Sequence, residues 1–374
     1  MTVKWSDEST NRFHHLWLRD NCSCSDCVAE VTREQTFEIL DVPVDIRPVT
    51  AEVSLSGDLN IGWPGGHRST FDAGWLREHT YDHSEIVSSE MVSGHTKSRV
   101  VWDSKTFDAP PTFEADAVLT DDAALYDWLV ALQTYGCSRV RGLPPDPDVV
   151  GVLAARIGVV RHSNFGVVWD VKSEPDPISN ANTSLRLPPH TDLPTREYQP
   201  GVQLLHCLVN DATGGDSVLV DGLRIAEILA RESPSHFTTL TTVPWNWANR
   251  SKTSDYRWAS PLIVLDVRGQ VSEVRVGNWL RAPLVDAEFE RVEEAYEAYR
   301  HLFEITYRPE LVVRFRLEPG DCMVFDNRRV LHARTAFDPV SGPRFLRGCY
   351  TEREEVESRI RVLQRARNAA LAHS

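Results

Sequence analysis

The sequence predicts a mainly β protein with flanking helices, built around a sandwich or jelly-roll barrel that a small β domain precedes. Two observations predict this fold. Short β-like runs separated by turns fill the second half of the chain, and they include 202–208, 217–220, 262–265, 311–315 and 322–325. Many short strands at this spacing are typical of sandwiches and jelly rolls. Stretches with helical spacing of apolar residues precede, interrupt or follow these runs, and we predict them to be flanking helices.

The chain is long enough for two domains, and we predict that they occupy 1–100 and 110–374. The stretch 87–111 reads as their connector. It is polar, it contains Gly94, and it ends in Pro110 and Pro111, where a helix cannot continue.

Composition and charge limit the partners. With 41% hydrophobic and 25% charged residues the chain is typical of a soluble globular protein, and no apolar run is long enough to cross a bilayer. The first residues, MTVKWSDEST, lack the pattern of a signal peptide, so we expect a cytoplasmic protein. A net charge of −14 argues against nucleic acid or an anionic membrane surface as a partner, because both require a basic face. We expect a small molecule instead.

A cysteine cluster marks the predicted first domain. Cys22, Cys24 and Cys27 are spaced so that one tight loop can turn three thiolates toward a single Zn²⁺, which needs a fourth ligand in a structural site. Alternating runs within 49–61 predict short strands, and the turn after them presents His67, our predicted fourth ligand. The competing candidates are His79, His83 and His95. The alternative is a set of reduced cysteines without metal.

The second domain has its own predicted elements. A strand is predicted at 137–143. Helical spacing of apolar residues, or a charged periodic pattern at the end of the chain, predicts helices at 121–136, 149–157, 223–231, 288–302 and 353–371.

A second set of candidate metal ligands lies in this domain. His190 and Asp192 stand two residues apart at the end of a predicted strand, so their side chains point the same way. Together with the distant His332 they can form the facial triad of two histidines and one carboxylate, which holds Fe(II) and leaves coordination positions open. The alternative is a strand-end turn that binds no metal.

An arginine follows the triad. Arg344 comes twelve residues after His332, on a predicted strand that can face the barrel interior. An enclosed guanidinium is costly unless it meets an anion, and a carboxylate bound in a bidentate manner fits it best. The turn Gly214–Ser217 also leads into a strand and ends in a hydroxyl group.

These motifs, taken in order, carry a resemblance to a known family. His190 and Asp192, the Gly-Gly-Asp-Ser turn, His332 and Arg344 resemble the Fe(II)/2-oxoglutarate-dependent dioxygenases of the taurine dioxygenase superfamily. Further blocks are similar to the γ-butyrobetaine and trimethyllysine hydroxylase family over nearly the whole chain, namely LWLRDNCSCSDC, WPGGH, HTDLP, PGVQLLHC, TGGDSVLVDG and DNRRVLHAR.

The resemblance implies a double-stranded β-helix, a jelly-roll variant, as the catalytic domain, and a zinc-binding β domain before it. It implies Fe(II), 2-oxoglutarate and O₂ as cofactor and co-substrates, and a homodimer. It assigns zinc to the three cysteines and His67, iron to the triad, and the distal carboxylate of 2-oxoglutarate to Arg344. Ser217 and Leu205 are expected in the same pocket.

The resemblance also implies a substrate. We expect γ-butyrobetaine or a related trimethylammonium acid, since aromatic rings bind such a cation by cation–π attraction. The resemblance implies a cage formed by Phe165, Trp169, Asn182 and Tyr350. It implies Asn180 and Asn278 as ligands of the substrate carboxylate. Asn182 and Phe165 stand where γ-butyrobetaine enzymes have tyrosines. A trimethylaminoalkyl phosphonate, trimethyllysine or an unmethylated amino acid therefore stays open as a substrate.

Two other functions compete with this hypothesis. A zinc-dependent hydrolase can use the same triad, but it has no use for Arg344 and needs a general base near the metal. A non-catalytic binding module can keep the barrel without a working iron centre, which the intact triad argues against.

Overall fold

The computed structural model describes residues 1–82, 99–173 and 182–372. The chain divides into two compact units, Met1–Thr96 and Lys97–Ser374. The predicted substrate ligand Asn180, the candidate zinc ligands His83 and His95, and much of the predicted connector lie outside the described residues.

The first unit contains a three-stranded antiparallel sheet. Its elements are β1 (Thr2–Lys4), β2 (Thr10–Arg12), α1 (His15–Asp20), β3 (Thr50–Val53), β4 (Leu59–Gly62), β5 (Arg68–Phe71) and α2 (Ala73–Glu78). β4 pairs with β3 and β5, and its buried side chains, Leu59 and Ile61, alternate with partly exposed ones. The predicted strands are confirmed, and Gly57 turns the chain between β3 and β4 at a positive φ of 94°.

The second unit is a barrel of two sheets. Its strands are β6 (Thr112–Glu114), β7 (Cys137–Arg141), β8 (Val160–Arg161), β9 (Val168–Lys172), β10 (Leu187–His190), β11 (Val202–Asn210), β12 (Thr213–Gly214), β13 (Ser217–Asp221), β14 (Trp245–Arg250), β15 (Asp255–Ser260), β16 (Ile263–Leu265), β17 (Val271–Val274), β18 (Val313–Phe315), β19 (Cys322–Asp326), β20 (Val330–Arg334), β21 (Phe337–Asp338) and β22 (Arg344–Thr351). The smaller sheet has the order β10-β20-β13-β18, and the larger has the order β6-β7-β19-β11-β22-β8, with β9 also paired to β22. The jelly-roll prediction is confirmed.

The helices of this unit are α3 (Ala115–Thr120), α4 (Asp122–Tyr135), α5 (Val149–Ile157), α6 (Gly222–Glu232), α7 (Pro234–Thr242), α8 (Val292–Thr306) and α9 (Arg353–Ala372). α4 begins at Asp121, whose side chain accepts a hydrogen bond from the Ala124 backbone, and ends at Gly136 in the left-handed conformation. α8 begins at Val292 rather than at 288, because Phe289–Arg291 form a 3₁₀ turn before it. Within the described part of the chain, none of the helices combines the length and the apolarity needed to cross a bilayer.

The core explains where the cavity lies. Apolar side chains of α4, α5 and α9 pack on one face of the larger sheet, with Trp128, Leu153 and Ile360 among them and Leu204 of β11 beneath. Because neighbouring strand residues face opposite ways, Leu205 points to the other face, toward the space between the two sheets. Helices therefore cover the outside of the larger sheet, and its inner face is left for the site.

Candidate functional site

The cysteine cluster of the first unit has the geometry of a four-ligand metal site. The Sγ atoms of Cys22, Cys24 and Cys27 lie 3.4, 3.8 and 3.6 Å from His67 Nε2. Zinc bonds of about 2.3 Å to sulfur and about 2.1 Å to nitrogen, at tetrahedral angles, place these atoms about 3.6 Å apart. The donor set and its spacing therefore fit a structural Zn²⁺.

Neighbouring groups fit the same interpretation. Arg19 Nη1 donates a hydrogen bond to Cys27 Sγ at 3.1 Å, a contact that favours a thiolate. Burial raises the pKa of Cys27 to about 11, so its thiolate would need the charge of a bound cation at neutral pH. His79 is not part of the cluster, since its ring stacks on Trp75 and its Nδ1 donates to the Trp75 carbonyl.

The second cluster brings together the members of the predicted triad, which lie far apart in the sequence. β10 and β20 pair so that His190 lies opposite His332, and Asp192 comes two residues after the end of β10. Asp192 Oδ1 lies 3.3 Å from His190 Nε2 and 3.8 Å from His332 Nε2. The three ligand atoms thus converge from one side, and two imidazole nitrogens with one carboxylate oxygen are a donor set that fits Fe(II).

Backbone contacts fix the two ligands at the end of β10. His190 Nδ1 donates to the Pro188 carbonyl at 2.9 Å, which leaves Nε2 to face Asp192. The Asn327 side chain accepts from the Asp192 backbone N–H at 2.7 Å and donates to the Asp192 carbonyl at 3.1 Å. Leu193 next to it has a φ of 53°, a conformation uncommon for a residue other than glycine. Asn327 therefore holds a strained, ligand-bearing turn in place.

The protonation states suit metal binding. Burial lowers the pKa of His332 to about 3, so its imidazole is neutral at neutral pH. Burial opposes ionisation of Asp192, but its contacts with His190, His332 and the Tyr350 hydroxyl outweigh burial and lower the pKa of that carboxyl below its usual range. A neutral imidazole and an ionised carboxylate are the forms that ligate a metal ion.

The triad borders a cavity of about 390 Å³ between the two sheets. Arg344 lines it and is 8% exposed, and burial lowers the pKa of its guanidinium to about 10. Among the described residues, no carboxylate forms an ion pair with Arg344, whose Nη2 contacts only the Gly215 carbonyl at the long distance of 3.5 Å. Ser217 and Leu205 line the same cavity. A buried cation of this kind fits one carboxylate of 2-oxoglutarate.

Aromatic side chains form another wall of this cavity. The rings of Trp169 and Tyr350 lie 4.2 Å apart between centroids, and Phe165 lies 6.1 Å from Trp169. Asn182 lines the cavity beside them. Gly348 leaves room for this wall, since a Cβ atom there would come within 2.8 Å of the Trp169 indole. All four side chains implied as a cage by the resemblance thus border one cavity.

Asn278 does not reach the cavity. It is exposed, it begins the 3₁₀ helix Asn278–Leu280, and its Oδ1 accepts a hydrogen bond from the Tyr299 hydroxyl. The next residue, Trp279, faces the site instead, with its ring centroid 4.5 Å from that of His190. The structure therefore does not bring Asn278 together with the other predicted site residues, because the helical turn places its Oδ1 against the Tyr299 hydroxyl of α8.

Two polar residues that the sequence analysis passed over also line the cavity. Gln203 is 3% exposed, and its Oε1 has no hydrogen-bond partner within the described chain. Arg334 donates to the carbonyls of Thr183 and Leu185, and burial together with the charge of Arg344 lowers its pKa to about 9. Strand periodicity was the signal for both, since each stands two residues from Leu205 or His332.

A larger cavity of about 1020 Å³ continues from the triad toward solvent. The tip of the β14–β15 hairpin lines it, and this tip carries the side chains of Arg250 and Lys252. The site is therefore open on the side of His190 and Asp192 as well as enclosed between the sheets.

Comparison with known proteins extends the description. The profile of the "Gamma-butyrobetaine hydroxylase-like, N-terminal" family matches residues 1–77, and that of the "Taurine catabolism dioxygenase TauD, TfdA family" matches residues 103–350. The chain is 47% identical to the gamma-butyrobetaine dioxygenase of Pseudomonas sp. (strain AK-1), over 98% of this chain and 94% of that one. It is 30% identical to the trimethyllysine dioxygenase of Meyerozyma guilliermondii, over 99% and 95% of the two chains.

The solved structures agree with the fold. A structure of asparagine oxygenase in complex with Fe(II), 2S,3S-3-hydroxyasparagine and succinate covers 62% of this chain and 79% of its own, at 23% identity and a TM-score of 0.50. The matches are to dioxygenases, and they support neither a zinc-dependent hydrolase nor a binding module. The chain belongs to the taurine catabolism dioxygenase TauD, TfdA family and is an Fe(II)- and 2-oxoglutarate-dependent dioxygenase.

Proposed function

We propose that this enzyme hydroxylates γ-butyrobetaine or a closely related trimethylammonium acid, with 2-oxoglutarate and O₂ as co-substrates. His190, Asp192 and His332 hold Fe(II), which supplies the oxygen-activating chemistry when it is bound. Arg344 receives the distal carboxylate of 2-oxoglutarate, beside Ser217 and Leu205.

One observation carries the proposal: a single cavity presents a buried guanidinium, an aromatic wall and three converging metal ligands. Arg344 supplies the positive charge that a dicarboxylate co-substrate requires. Trp169 and Tyr350 supply ring faces that attract a quaternary ammonium group. The protein's part is to bring a C–H bond of the substrate next to the metal and to exclude water from it.

The choice of substrate rests on the aromatic wall and on the relatives. The Pseudomonas relative, at 47% identity, is a gamma-butyrobetaine dioxygenase, and the same cavity here contains Phe165, Trp169 and Tyr350. Asn182 adds an amide to this wall. We therefore place γ-butyrobetaine first and keep trimethyllysine, a trimethylaminoalkyl phosphonate and an unmethylated amino acid as alternatives. Asn180 stays a proposed ligand of the substrate carboxylate.

Zinc has a separate role in this proposal. Cys22, Cys24, Cys27 and His67 bind one Zn²⁺ and fill its four positions, so this ion stabilises the first unit and takes no part in the reaction.

We further propose domains at 1–100 and 110–374, a cytoplasmic location, and a homodimer. The family profiles, at 1–77 and 103–350, support a boundary between these ranges. The net charge of −14 supports a small-molecule partner rather than nucleic acid or a membrane surface. Sedimentation of the purified chain at several concentrations tests the dimer.

A substrate screen tests the function. The purified full-length protein is incubated with Fe(II), 2-oxoglutarate and each of the four candidate substrates, and succinate and product mass are measured. We expect γ-butyrobetaine to gain one oxygen atom and to give the highest rate, with no product when 2-oxoglutarate is omitted. A higher rate with another candidate would replace γ-butyrobetaine as the substrate. Failure of 2-oxoglutarate to support any turnover would contradict the proposed reaction.

A further inference from the structure

The two carboxylate oxygens of Asp192 have different environments. Oδ1 faces the metal position, at 3.3 Å from His190 Nε2 and 3.8 Å from His332 Nε2. Oδ2 accepts a hydrogen bond of 2.6 Å from the Tyr350 hydroxyl, which is 158 residues away along the chain. One oxygen is thus available for the metal, and the other is engaged by the protein.

The donor of that hydrogen bond also belongs to the aromatic wall. Tyr350 lies on β22 opposite Gln203, is 1% exposed, and has its ring 4.2 Å from that of Trp169. Its ring therefore borders the space in which a cationic substrate is proposed to bind, while its hydroxyl contacts an iron ligand. Within the described chain, no other residue of the aromatic wall has a hydrogen bond to the triad.

We propose that Tyr350 is a positioning residue that connects occupation of the aromatic wall to the coordination of the metal by Asp192. The inference rests on the proposed function for its substrate, but its first half, the hold on Asp192, stands on geometry alone. Through its hydroxyl, Tyr350 keeps Asp192 bound by Oδ1 only. Through its ring, it senses a cation.

The first half follows from ligand counting. A carboxylate can bind a metal through one oxygen or through both. If Oδ2 also turned to the metal, it would take a position that the co-substrates require, because the facial triad works by leaving positions open. A short hydrogen bond from a buried phenol keeps Oδ2 away from the metal, and outer contacts of this kind orient metal ligands.

The second half follows from the ring. A cation over an aromatic face is attracted to the π electrons and draws electron density toward itself. A phenol that loses electron density is a stronger O–H donor, so the bond to Asp192 Oδ2 strengthens when the substrate arrives. Neighbouring hydrogen bonds in a buried site polarise one another in the same way.

Tyr350→Phe tests the proposal, since it removes one oxygen atom and keeps the ring. The matched control is Tyr299→Phe, which removes another buried phenol whose partner, Asn278, lies outside the cavity. Co(II) is used as the probe, because its visible absorption depends on coordination number. We expect Tyr350→Phe to alter Co(II) affinity by about 10-fold or more and to shift the Co(II) absorption toward a higher coordination number, because Asp192 can then bind through both oxygens. Tyr299→Phe should bind Co(II) as the unsubstituted protein does.

The response to substrate tests the connection. With Co(II) and 2-oxoglutarate bound, adding γ-butyrobetaine should change the visible spectrum of the unsubstituted protein and leave that of Tyr350→Phe unchanged. With Fe(II) and O₂, Tyr350→Phe should consume more 2-oxoglutarate per hydroxylated product. Trp169→Phe separates the two halves. It keeps the hydroxyl contact, so Co(II) affinity should be retained while the spectral response to γ-butyrobetaine becomes weaker.

Failure of the role proposed for Tyr350 can be distinguished from failure of the proposed substrate. Equal Co(II) affinity and an equal spectral response in Tyr350→Phe and the unsubstituted protein would overturn the role of Tyr350. If the unsubstituted protein turns over no betaine, the substrate assignment and the ring connection fail together. The Co(II) affinities of Tyr350→Phe and Tyr299→Phe would still decide whether Tyr350 holds Asp192.

Discussion

The two clusters of metal-ligating side chains differ in number, in chemistry and in surroundings. In the first unit, three cysteine sulfurs lie 3.4–3.8 Å from His67 Nε2, so that four ligand atoms surround one point. In the second unit, two histidines and Asp192 cover only one side of the metal position and border a cavity with a buried cation.

Ligand number separates a structural metal ion from a reactive one. Four soft ligands complete a tetrahedron, which leaves no position for a substrate. Three ligands on one side leave positions free, and a neighbouring cavity gives those positions a use. The role of each metal ion therefore depends on how many of its coordination positions the protein leaves free. Removing single ligands is the direct way to test this contrast.

Asp192→Ala should have the largest effect. We expect 2-oxoglutarate turnover to fall by more than about 100-fold, because loss of a mere outer contact already costs about 10- to 100-fold and Asp192 is a ligand itself. Succinate formation measures the effect. Zinc content, measured on the same sample, should stay at one ion per chain. Turnover close to that of the unsubstituted protein would contradict the assignment of iron to His190, Asp192 and His332.

Cys27→Ala should disrupt the zinc site formed by the three cysteines and His67. We expect the chain to lose its zinc and the first unit to lose several kcal/mol of unfolding free energy, since zinc binding in small domains contributes about 10–16 kcal/mol. Elemental analysis and thermal unfolding measure both effects. Cys137→Ala is the matched control, because Cys137 is a buried thiol of β7 outside the cluster. Retained zinc in Cys27→Ala would show that these sulfurs do not bind it.

His206 sharpens the contrast, because it is a buried histidine that belongs to neither cluster. It lies on β11, it is 0% exposed, and neither ring nitrogen has a hydrogen-bond partner in the described residues. Burial lowers its pKa to about 4. The unfolded chain binds a proton at this histidine below pH of about 6.5, while the folded protein does so only near pH 4.

The sign follows from this difference in pKa. The neutral His206 contributes its full stability above pH of about 6.5, and that contribution is lost as the pH falls toward 4. Denaturant unfolding at pH 7 and 4.5 should therefore show a loss that is about 2–3 kcal/mol larger in the unsubstituted protein than in His206→Phe. Equal losses in both proteins would mean that the imidazole is not held neutral by burial.

Asn182→Tyr should have the smallest effect, and it tests only the cavity beside the iron triad. A further ring in the aromatic wall adds about 1 kcal/mol of cation–π attraction, which lowers the KM for γ-butyrobetaine about five-fold. Asn182→Leu is the control, since it adds an apolar side chain without π electrons. If both variants behave alike, apolar contact rather than the ring sets the affinity.

Regular patterns explain which elements the sequence predicted. α4 and α5 were predicted almost to the residue, because their apolar side chains recur at helical spacing and Gly136 ends α4. α7 was missed, although Ser233 caps it and Pro234 begins it, because β-branched threonines dominate its sequence. The β14–β15 hairpin was missed as well, since its polar residues conceal the alternation.

Within the site, the sequence predicted residues whose chemistry is individually recognisable. The triad was predicted from spacing and ligand type, and strand pairing brings its members together. The contact between Tyr350 and Asp192 could not be predicted, because it joins side chains 158 residues apart on different strands and depends on the three-dimensional fold. The sequence also did not show where Asn278 lies, since the direction of its side chain depends on a local helical turn.

The contacts of Asn327 have a consequence for how the iron site is loaded. The Asn327 side chain hydrogen-bonds to the backbone N–H and the carbonyl of Asp192, and it donates to the Pro200 carbonyl at 3.1 Å. These contacts fix the strained turn at Leu193. We therefore expect a chelator to remove Fe(II) without unfolding the barrel, whereas removal of Zn²⁺ should destabilise the first unit.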